Sequence, residues 1–410
     1  MSQFPLRAAA LAAALLPCLV TAAPLSFEAA LDLAVQRSES ARSARAGVLS
    51  AAQTARTADQ LPDPLLRVGV DNLPATGADR FSTTREPMTM KRIGISQEWI
   101  SSGKRTARQA AADASVSQEE VQAQAAVAET RLQTALAYLD AFYAGEALQL
   151  TTLMAHHAHE ELETARARLA SATGSSQEVL LLTSAKGITE DETAEARQLE
   201  DAAKLALQRW IGVPPDALTP VQALRLPTED AYAAGHPLIA AKQREIDVSR
   251  RLAAVAATNR EPNWTWEVSY GQRTGYSDLV SVGVSIPLPV ALGARQDRDT
   301  AAKLALVEKT EADLAEAMRA VIAEYRMLSS DDQRLQQRIK RYRTGVVIPA
   351  GQRTVAAVAA YRSNQASLAS VFEARHAEVE AQRKLLTLQR DLSRVQAQLA
   401  LRPIAFEVAP

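Results

Sequence analysis

The run His156-His157-Ala158-His159-Glu160 is the group of side chains best suited to bind a metal ion. His156 and Glu160 are four residues apart and would share one face of a helix, as paired metal ligands often do. His157 is expected to point away from that face. A solvated polar patch is therefore the favoured interpretation. No cofactor is predicted, and His156 with Glu160 is kept only as a candidate metal pair to test.

The motifs of common enzyme active sites do not occur in the sequence. It has no Gly-rich phosphate loop, no G-x-S-x-G elbow and no H-E-x-x-H. The 46 Lys and Arg residues nearly balance the 47 Asp and Glu residues, so the chain lacks the positive charge of a nucleic-acid-binding protein. We predict neither an enzyme nor a nucleic acid partner.

Residues 1–22 have the pattern of a secretory signal peptide. Arg7 precedes an apolar run over 8–20, and small residues end at Ala22, where we predict cleavage. Cys18 lies inside this segment after Pro17, whereas a lipid-modified cysteine usually follows a small residue; its lipidation is left open. The exported chain would then have no cysteine and no disulfide.

Long stretches of the chain consist of strong helix formers, mainly Ala, Leu, Glu, Gln and Arg. These predicted helical stretches are 26–60, 104–172, 176–212 and 294–400. In the second stretch, apolar residues recur at spacings of three and four, which places them on one stripe typical of coiled-coil packing. The stripe consists of Leu132, Leu136, Leu139, Phe142 and Tyr143.

Two pairs of short segments have a period of two instead, which predicts strands over 64–72, 90–99, 263–270 and 279–287. One face is apolar and aromatic and the other is small and polar, as in a barrel strand between lipid and water, although half of a soluble sheet alternates in the same way. The predicted lipid-facing residues are Trp264, Trp266, Val268, Val280, Val282 and Val284. An interfacial aromatic belt would add Trp99, Tyr270 and Tyr276.

Several short motifs recur, the last two of them 189 and 190 residues apart, which predicts an internal duplication. Asp63-Pro64 corresponds to Glu261-Pro262, 93–96 to 282–285, and 103–105 to 293–295. The predicted plan is a first repeat over 23–212, a linker over 213–235, a second repeat over 236–401 and a tail over 402–410. Each repeat would contain a helix, two strands and a long helix pair, over 104–212 in the first and 294–400 in the second.

Four strands cannot close a membrane barrel, because the smallest such barrels have about eight. Two chains would make a narrow barrel filled by its own side chains, whereas three would make a barrel of about twelve strands that can enclose a passage. A conduit therefore favours a homotrimer.

Four sets of residues resemble the TolC-like outer-membrane efflux family, and the resemblance covers essentially the whole exported chain, to about Leu401. They are Leu25-Ser26-Phe27-Glu28-Ala29-Ala30; Leu61-Pro62-Asp63-Pro64 with Asp71-Asn72-Leu73-Pro74; Ile95-Ser96-Gln97-Glu98-Trp99 with Gly103-Lys104-Arg105; and Ile286-Pro287-Leu288-Pro289. The chain looks most like the heavy-metal efflux subgroup, the CzcC and CusC type.

The resemblance implies a mainly α fold with a small β part: a long coiled-coil α-helical barrel in the periplasm plus four transmembrane strands per chain, with a trimer sharing a twelve-stranded barrel among outer-membrane lipid. It also implies a periplasmic adaptor (membrane fusion protein) and an inner-membrane RND-type pump as partners. The expected function is the exit duct of a tripartite exporter of heavy-metal cations. Drugs or secreted polypeptides are alternative cargo, and a soluble periplasmic coiled-coil scaffold with a small sandwich domain is the alternative of another class.

In this family the periplasmic helix pairs end in tight turns, which we expect to dock the adaptor. The matching residues are Thr173, Gly174 and Ser175 in the first pair and Ser363, Asn364 and Gln365 in the second. Gly and Asn adopt positive φ most easily, so Gly174 and Asn364 are predicted to be equivalent. Glu373 is a candidate gate residue, because three copies around an axis would repel one another and attract cations; a solvated surface Glu is the alternative.

Overall fold

The computed structural model describes residues 24–215 and 217–404. The predicted signal peptide, Cys18 and residues 405–410 of the predicted tail lie outside them. The described chain is mostly helical with one small antiparallel sheet. This confirms the mainly α fold with a small β part.

The helices are long, and the longest, α3, has 69 residues. Their bounds are α1 Phe27–Arg37, α2 Glu39–Ala55, α3 Ser102–Ala170, α4 Ser176–Ile211, α5 Glu229–Gly235, α6 Pro237–Thr258, α7 Gln296–Tyr342, α8 Ile348–Arg362 and α9 Leu368–Leu401. A 3₁₀ turn spans Leu292–Ala294. Helix α3 packs against α2, α4, α6 and α9. None of these helices has the length and apolar character needed to cross a membrane.

Serine side chains mark the starts of several helices. Ser26, Ser101, Ser175 and Ser367 each accept a hydrogen bond from a backbone N–H in the first turn of the following helix, which satisfies a donor that the helix cannot. Ser38 does the same for α2, with extended backbone at φ −65° and ψ 114°. The single helix predicted over 26–60 is therefore wrong, because Ser38 ends α1 and begins α2.

The segment between α4 and α6, predicted as a linker, contains the short helix α5. The start of this segment is held against the beginning of the described chain. Leu25 and Leu218 form an isolated parallel bridge, and the buried Tyr138 hydroxyl donates to Leu25 O at 2.7 Å while accepting from Thr219 N at 2.9 Å. These bonds join three distant parts of the chain in one core.

The strands are β1 Leu65–Asp71, β2 Met90–Trp99, β3 Trp264–Arg273 and β4 Leu279–Ser285. They form a single antiparallel sheet in the order β1-β2-β3-β4. The central pair joins the two hairpins, from Met90 opposite Arg273 to Trp99 opposite Trp264. A small two-sheet sandwich, which the scaffold alternative required, is therefore not the arrangement of these strands.

Four apolar clusters hold the described helices together, and two of them lie along the first helix pair. The first surrounds Tyr138 and includes Phe27, Leu31, Leu139 and Leu207 from α1, α3 and α4. The second lies near the ends of the helix pairs, and its buried members come from α3, α4 and α9. They are Met154, Ala158, Leu162, Ala165, Leu182, Ala185, Leu368 and Phe372. This second cluster joins both helix pairs.

A π-helical turn, Arg343–Val347, connects α7 to α8. Pro349 lies in the first turn of α8, where its missing N–H removes a helical donor. Such wide turns hold one more residue than an α-helical turn. Beyond it, Thr354 Oγ1 donates to Ala374 O of α9 at 3.1 Å, so the helix that leaves the π turn is bonded to its neighbour.

Candidate functional site

One face of the sheet is an apolar surface that the described chain leaves uncovered. The register places Leu66, Ile95, Val268 and Val282 in one row across the four strands. The next row is Val68, Ile93, Tyr270 and Val280. All eight side chains are exposed, and Val282 is 74% exposed. We call this surface the apolar sheet face.

The six predicted lipid-facing residues all lie on the apolar sheet face. Trp266 pairs with Val284, Val268 with Val282, and Tyr270 with Val280. Trp264 pairs with Trp99, and their rings lie 5.9 Å apart at the end of the sheet nearest α3. Tyr276 lies in the turn between β3 and β4, at the opposite end. Aromatic side chains therefore lie at both ends of this face, and contact with lipid remains a prediction.

The opposite face of the sheet has an ionic network that the sequence analysis missed. Arg92 donates to Asp71 at 3.2 Å, to Glu267 at 2.8 Å and to Ser269 at 2.9 Å. Arg67 donates to the other oxygen of Glu267 at 3.2 Å. The network spans three strands and balances two cations with two carboxylates. The sheet thus separates an apolar surface from a charged one.

The join between the sheet and the helices is centred on Lys104, in the first turn of α3. Its ammonium is buried and donates to Glu261 O at 3.0 Å and to Asn263 Oδ1 at 2.9 Å. Asn263 in turn donates to Glu98 Oε1 at 2.7 Å. Burial, together with the nearby Arg108, lowers the pKa of Lys104 below its ordinary value. These bonds fix the start of α3 against the segment that leads into β3.

The two turns that close the helix pairs have the same backbone hydrogen bonds. Thr173 N donates to Arg168 O at 2.9 Å, and Gln365 N donates to Ala360 O at 2.8 Å. This pairing of residues five apart is the signature of a Schellman turn, which requires one residue with positive φ. Residues 171–175 and 363–367, with the adjoining helix ends, are called here the turn end.

The prediction that Gly174 and Asn364 are equivalent residues with positive φ is wrong. Asn364 has φ 58°, but in the first turn the residue with that value is Ala172. Gly174 is needed for a different reason, since a Cβ there would lie 2.8 Å from the backbone nitrogen of Leu169. Glycine allows the chain to pass close to the end of α3.

The structure brings the two turns together. Arg168 donates to the Tyr361 hydroxyl at 3.2 Å, and its guanidinium lies 5.6 Å from the ring centre. Glu178, in the first turn of α4, accepts from Leu368 N at 2.8 Å. The predicted docking residues therefore lie on one continuous end of the molecule, although docking itself is untested.

Glu373 is exposed near the turn end, in the second turn of α9. Phe372 and Ala374 on either side of it are buried, so its carboxylate points away from the core of the chain. This position is compatible with the predicted gate and with a solvated side chain.

The candidate pair His156 and Glu160 lies exposed on α3, with His156 Nε2 3.3 Å from Glu160 Oε1. His157 does not point away as expected, because its Nδ1 lies 3.3 Å from the other oxygen of Glu160. The two rings thus share one carboxylate. Among the described residues, three other potential ligands lie close enough together to hold one ion: Glu192, His376 and Glu380.

The fold of the chain is found among solved structures. No protein-family model and no curated protein matches the chain. Among solved structures, the outer membrane protein VceC of Vibrio cholerae is 18% identical with a TM-score of 0.73, covering 92% of this chain and 96% of that one. CusC is 16% identical with a TM-score of 0.76, covering 92% and 90%. The MtrE outer membrane channel of Neisseria gonorrhoeae is 15% identical with a TM-score of 0.73, covering 92% and 88%. The chain has the fold of these proteins over nearly its whole length.

Proposed function

We propose that this protein is an outer-membrane exit duct of a tripartite efflux system and carries out no chemistry of its own. The observation that carries the proposal is the apolar sheet face, which is exposed while the opposite face holds the network of Arg67, Arg92 and Glu267. Apolar residues outside and charged residues inside are what a membrane barrel needs. The shared fold with VceC, CusC and MtrE, described as outer-membrane or transmembrane channel proteins, supports the same function.

The duct is a trimer in this proposal. The four strands leave β1 and β4 as the two edges of the sheet, each with unpaired backbone donors and acceptors. Pairing β4 of one copy with β1 of the next satisfies these groups, and closure with three copies makes a barrel of about twelve strands. The helices would then form a tunnel through the periplasm. The two predicted repeats of each chain would each contribute a similar helix pair to its wall.

The turn end is the proposed docking site for a periplasmic adaptor, with an RND-type pump in the inner membrane as the source of energy. Heavy-metal cations are the proposed cargo, on the basis of the motifs that look like the CzcC and CusC type and the CusC-like fold. A wide aqueous tunnel discriminates little among solutes. Organic drugs and polypeptides are therefore alternative cargo, and deletion of the gene followed by growth on metal salts and on drugs would separate them.

The decisive experiment compares two arginine variants of β4. Val282→Arg places a cation on the apolar sheet face, and Ser281→Arg places the same cation on the opposite face, one residue away. An arginine facing the middle of a bilayer costs roughly 2–4 kcal/mol. We expect Val282→Arg to lose the heat-sensitive trimer of the outer-membrane fraction on denaturing gels, while wild type and Ser281→Arg retain it.

Two results would contradict the proposal. A wild-type chain recovered as a soluble monomer from the periplasm would exclude the shared barrel and favour a scaffold. Equal trimer formation by both arginine variants would show that the apolar sheet face does not contact lipid.

A further inference from the structure

Helices α4 and α9 meet at a cluster of metal-ligand side chains that the duct function does not use. Glu192 lies on α4, and His376 and Glu380 lie on α9. The Nε2 atom of His376 is 3.1 Å from Glu192 Oε1. One ligand atom from each of the three residues lies within 4.8 Å of the others.

The geometry of the cluster suits a small divalent ion. His376 and Glu380 are four residues apart, so they project from the same face of α9. Zinc binds imidazole nitrogen and carboxylate oxygen at about 2.0–2.2 Å, so two ligand atoms of one tetrahedral shell lie about 3.3 Å apart. The separation of His376 from Glu192 is close to that value. Rotation of the Glu380 carboxylate would bring the third ligand into the shell.

Neighbouring groups hold the imidazole in place and supply negative charge. The ring of Phe372 stacks on that of His376, with centroids 5.7 Å apart and planes at 22°, and this contact restricts the direction of Nε2. Glu195 lies three residues beyond Glu192, on the same side of α4, and adds a further carboxylate there. Negative charge of this kind raises the local concentration of cations.

One cation already contacts the cluster. Arg383 donates to Glu380 Oε1 at 2.7 Å, one turn further along α9. A carboxylate has two oxygens, so Glu380 can ligate an ion through one while Arg383 keeps the other. The arginine also offsets part of the repulsion between the two glutamates.

We propose that Glu192, His376 and Glu380 form a binding site for a divalent transition-metal ion, with zinc as the model ion, and that the ion ties α4 to α9. Three protein ligands leave the fourth tetrahedral position for water. The two helices belong to different helix pairs, so a bound ion joins the pairs. The ligand geometry lies within a single chain, so the proposal does not rest on the duct function.

Zinc binding by the full chain in detergent tests the proposal. Protein stripped with a chelator is titrated with Zn²⁺ in competition with a chromophoric chelator. We expect tight binding of about one ion per chain, and at least tenfold weaker binding in His376→Gln and Glu192→Gln. His156→Gln is the matched control, because it removes a histidine from an exposed i, i+4 pair with a glutamate while leaving the proposed ligands intact.

Zinc should also raise the unfolding temperature of wild type and His156→Gln but not of the two ligand variants, because an ion that binds only the folded state stabilises it. If His376→Gln loses its helical circular dichroism, the exposed Glu380→Gln replaces it. Equal zinc affinity in wild type and ligand variants, or no zinc binding by wild type, would overturn the proposal.

The gel that detects the trimer is run on the same samples, so that failure of the metal-site proposal can be distinguished from failure of the duct proposal. A trimer that does not bind zinc overturns only the metal site, and a soluble monomer that binds zinc overturns only the duct.

Discussion

The sheet and the turn end differ in how far their apolar side chains are buried. On the apolar sheet face, Val68 and Val282 are each 74% exposed. At the turn end, Leu182 and Leu368 are buried, and hydrogen bonds from Arg168 and to Glu178 connect the two turns. The helical end therefore buries an apolar cluster within one chain, whereas the apolar sheet face has no covering in the described chain. Substitutions at the two ends should change different measured quantities.

The largest effect on the unfolding of the helices should come from Leu182→Ala. This side chain is completely buried between α3, α4 and α9, and a buried Leu→Ala change costs about 2–5 kcal/mol. Val282→Ala is the matched substitution on the exposed sheet face and should leave the urea midpoint of helical circular dichroism nearly unchanged. Equal losses in both variants would show that the two ends unfold as one unit and would remove the distinction between them.

A second, smaller effect at the turn end should depend on pH. Glu161 is buried, and burial raises its pKa to about 7 although Arg375 donates to it at 2.8 Å. Within the described chain its Oε2 has no hydrogen-bond partner. A carboxyl whose pKa is raised from 4.5 on folding contributes stability that is complete below pH 4.5 and is lost as pH rises through 7.

Glu161→Gln should abolish that loss. At about 1.4 kcal/mol per pKa unit, wild type should lose at most about 3 kcal/mol more than the variant between pH 4.5 and 8. Urea unfolding of both proteins at these two pH values measures the difference. Parallel losses would mean that the ion pair with Arg375 keeps Glu161 ionised in the folded chain.

The smallest expected effect compares the two turns with each other. Ala172 and Asn364 both have φ 58°, but alanine pays a steric cost there that glycine avoids, and asparagine tolerates the conformation better. Ala172→Gly should raise the free energy of unfolding by about 1 kcal/mol. Asn364→Gly should change it by less, because asparagine already adopts this conformation readily. Equal changes would show that left-handed strain does not distinguish the turns.

The fold class and the faces of the strands were predictable because each depends on a local period. Alternation over 280–286 determines which side chains share a face, whatever the partner strand. The ionic network was not predictable, since Arg67 and Glu267 are 200 residues apart and meet only through the register of β2 with β3. The sequence did show charged residues on the polar side of the predicted strands, and these could have indicated an ionic network there.

The turns and the histidines show the same limit. The preference of glycine for positive φ predicted that conformation at Gly174. In the structure, Gly174 is instead the residue that passes close to Leu169, and Ala172 has the positive φ. The run at 156–160 attracted attention because its histidines are adjacent in sequence. His376 stands apart from other histidines in the sequence, and only the packing of α4 against α9 brings Glu192 to it.

The π turn at Arg343–Val347 changes the rotation of the following helix about its axis without changing how much of the chain is helical. Each residue advances an α-helix by about 100°, so the additional residue in the wide turn sets the direction in which every α8 side chain points. Removing one residue there would leave the circular dichroism almost the same. It would also rotate Thr354 away from Ala374, with which it is bonded across to α9. The five residues of the π turn thus determine which side chains of α8 contact α9.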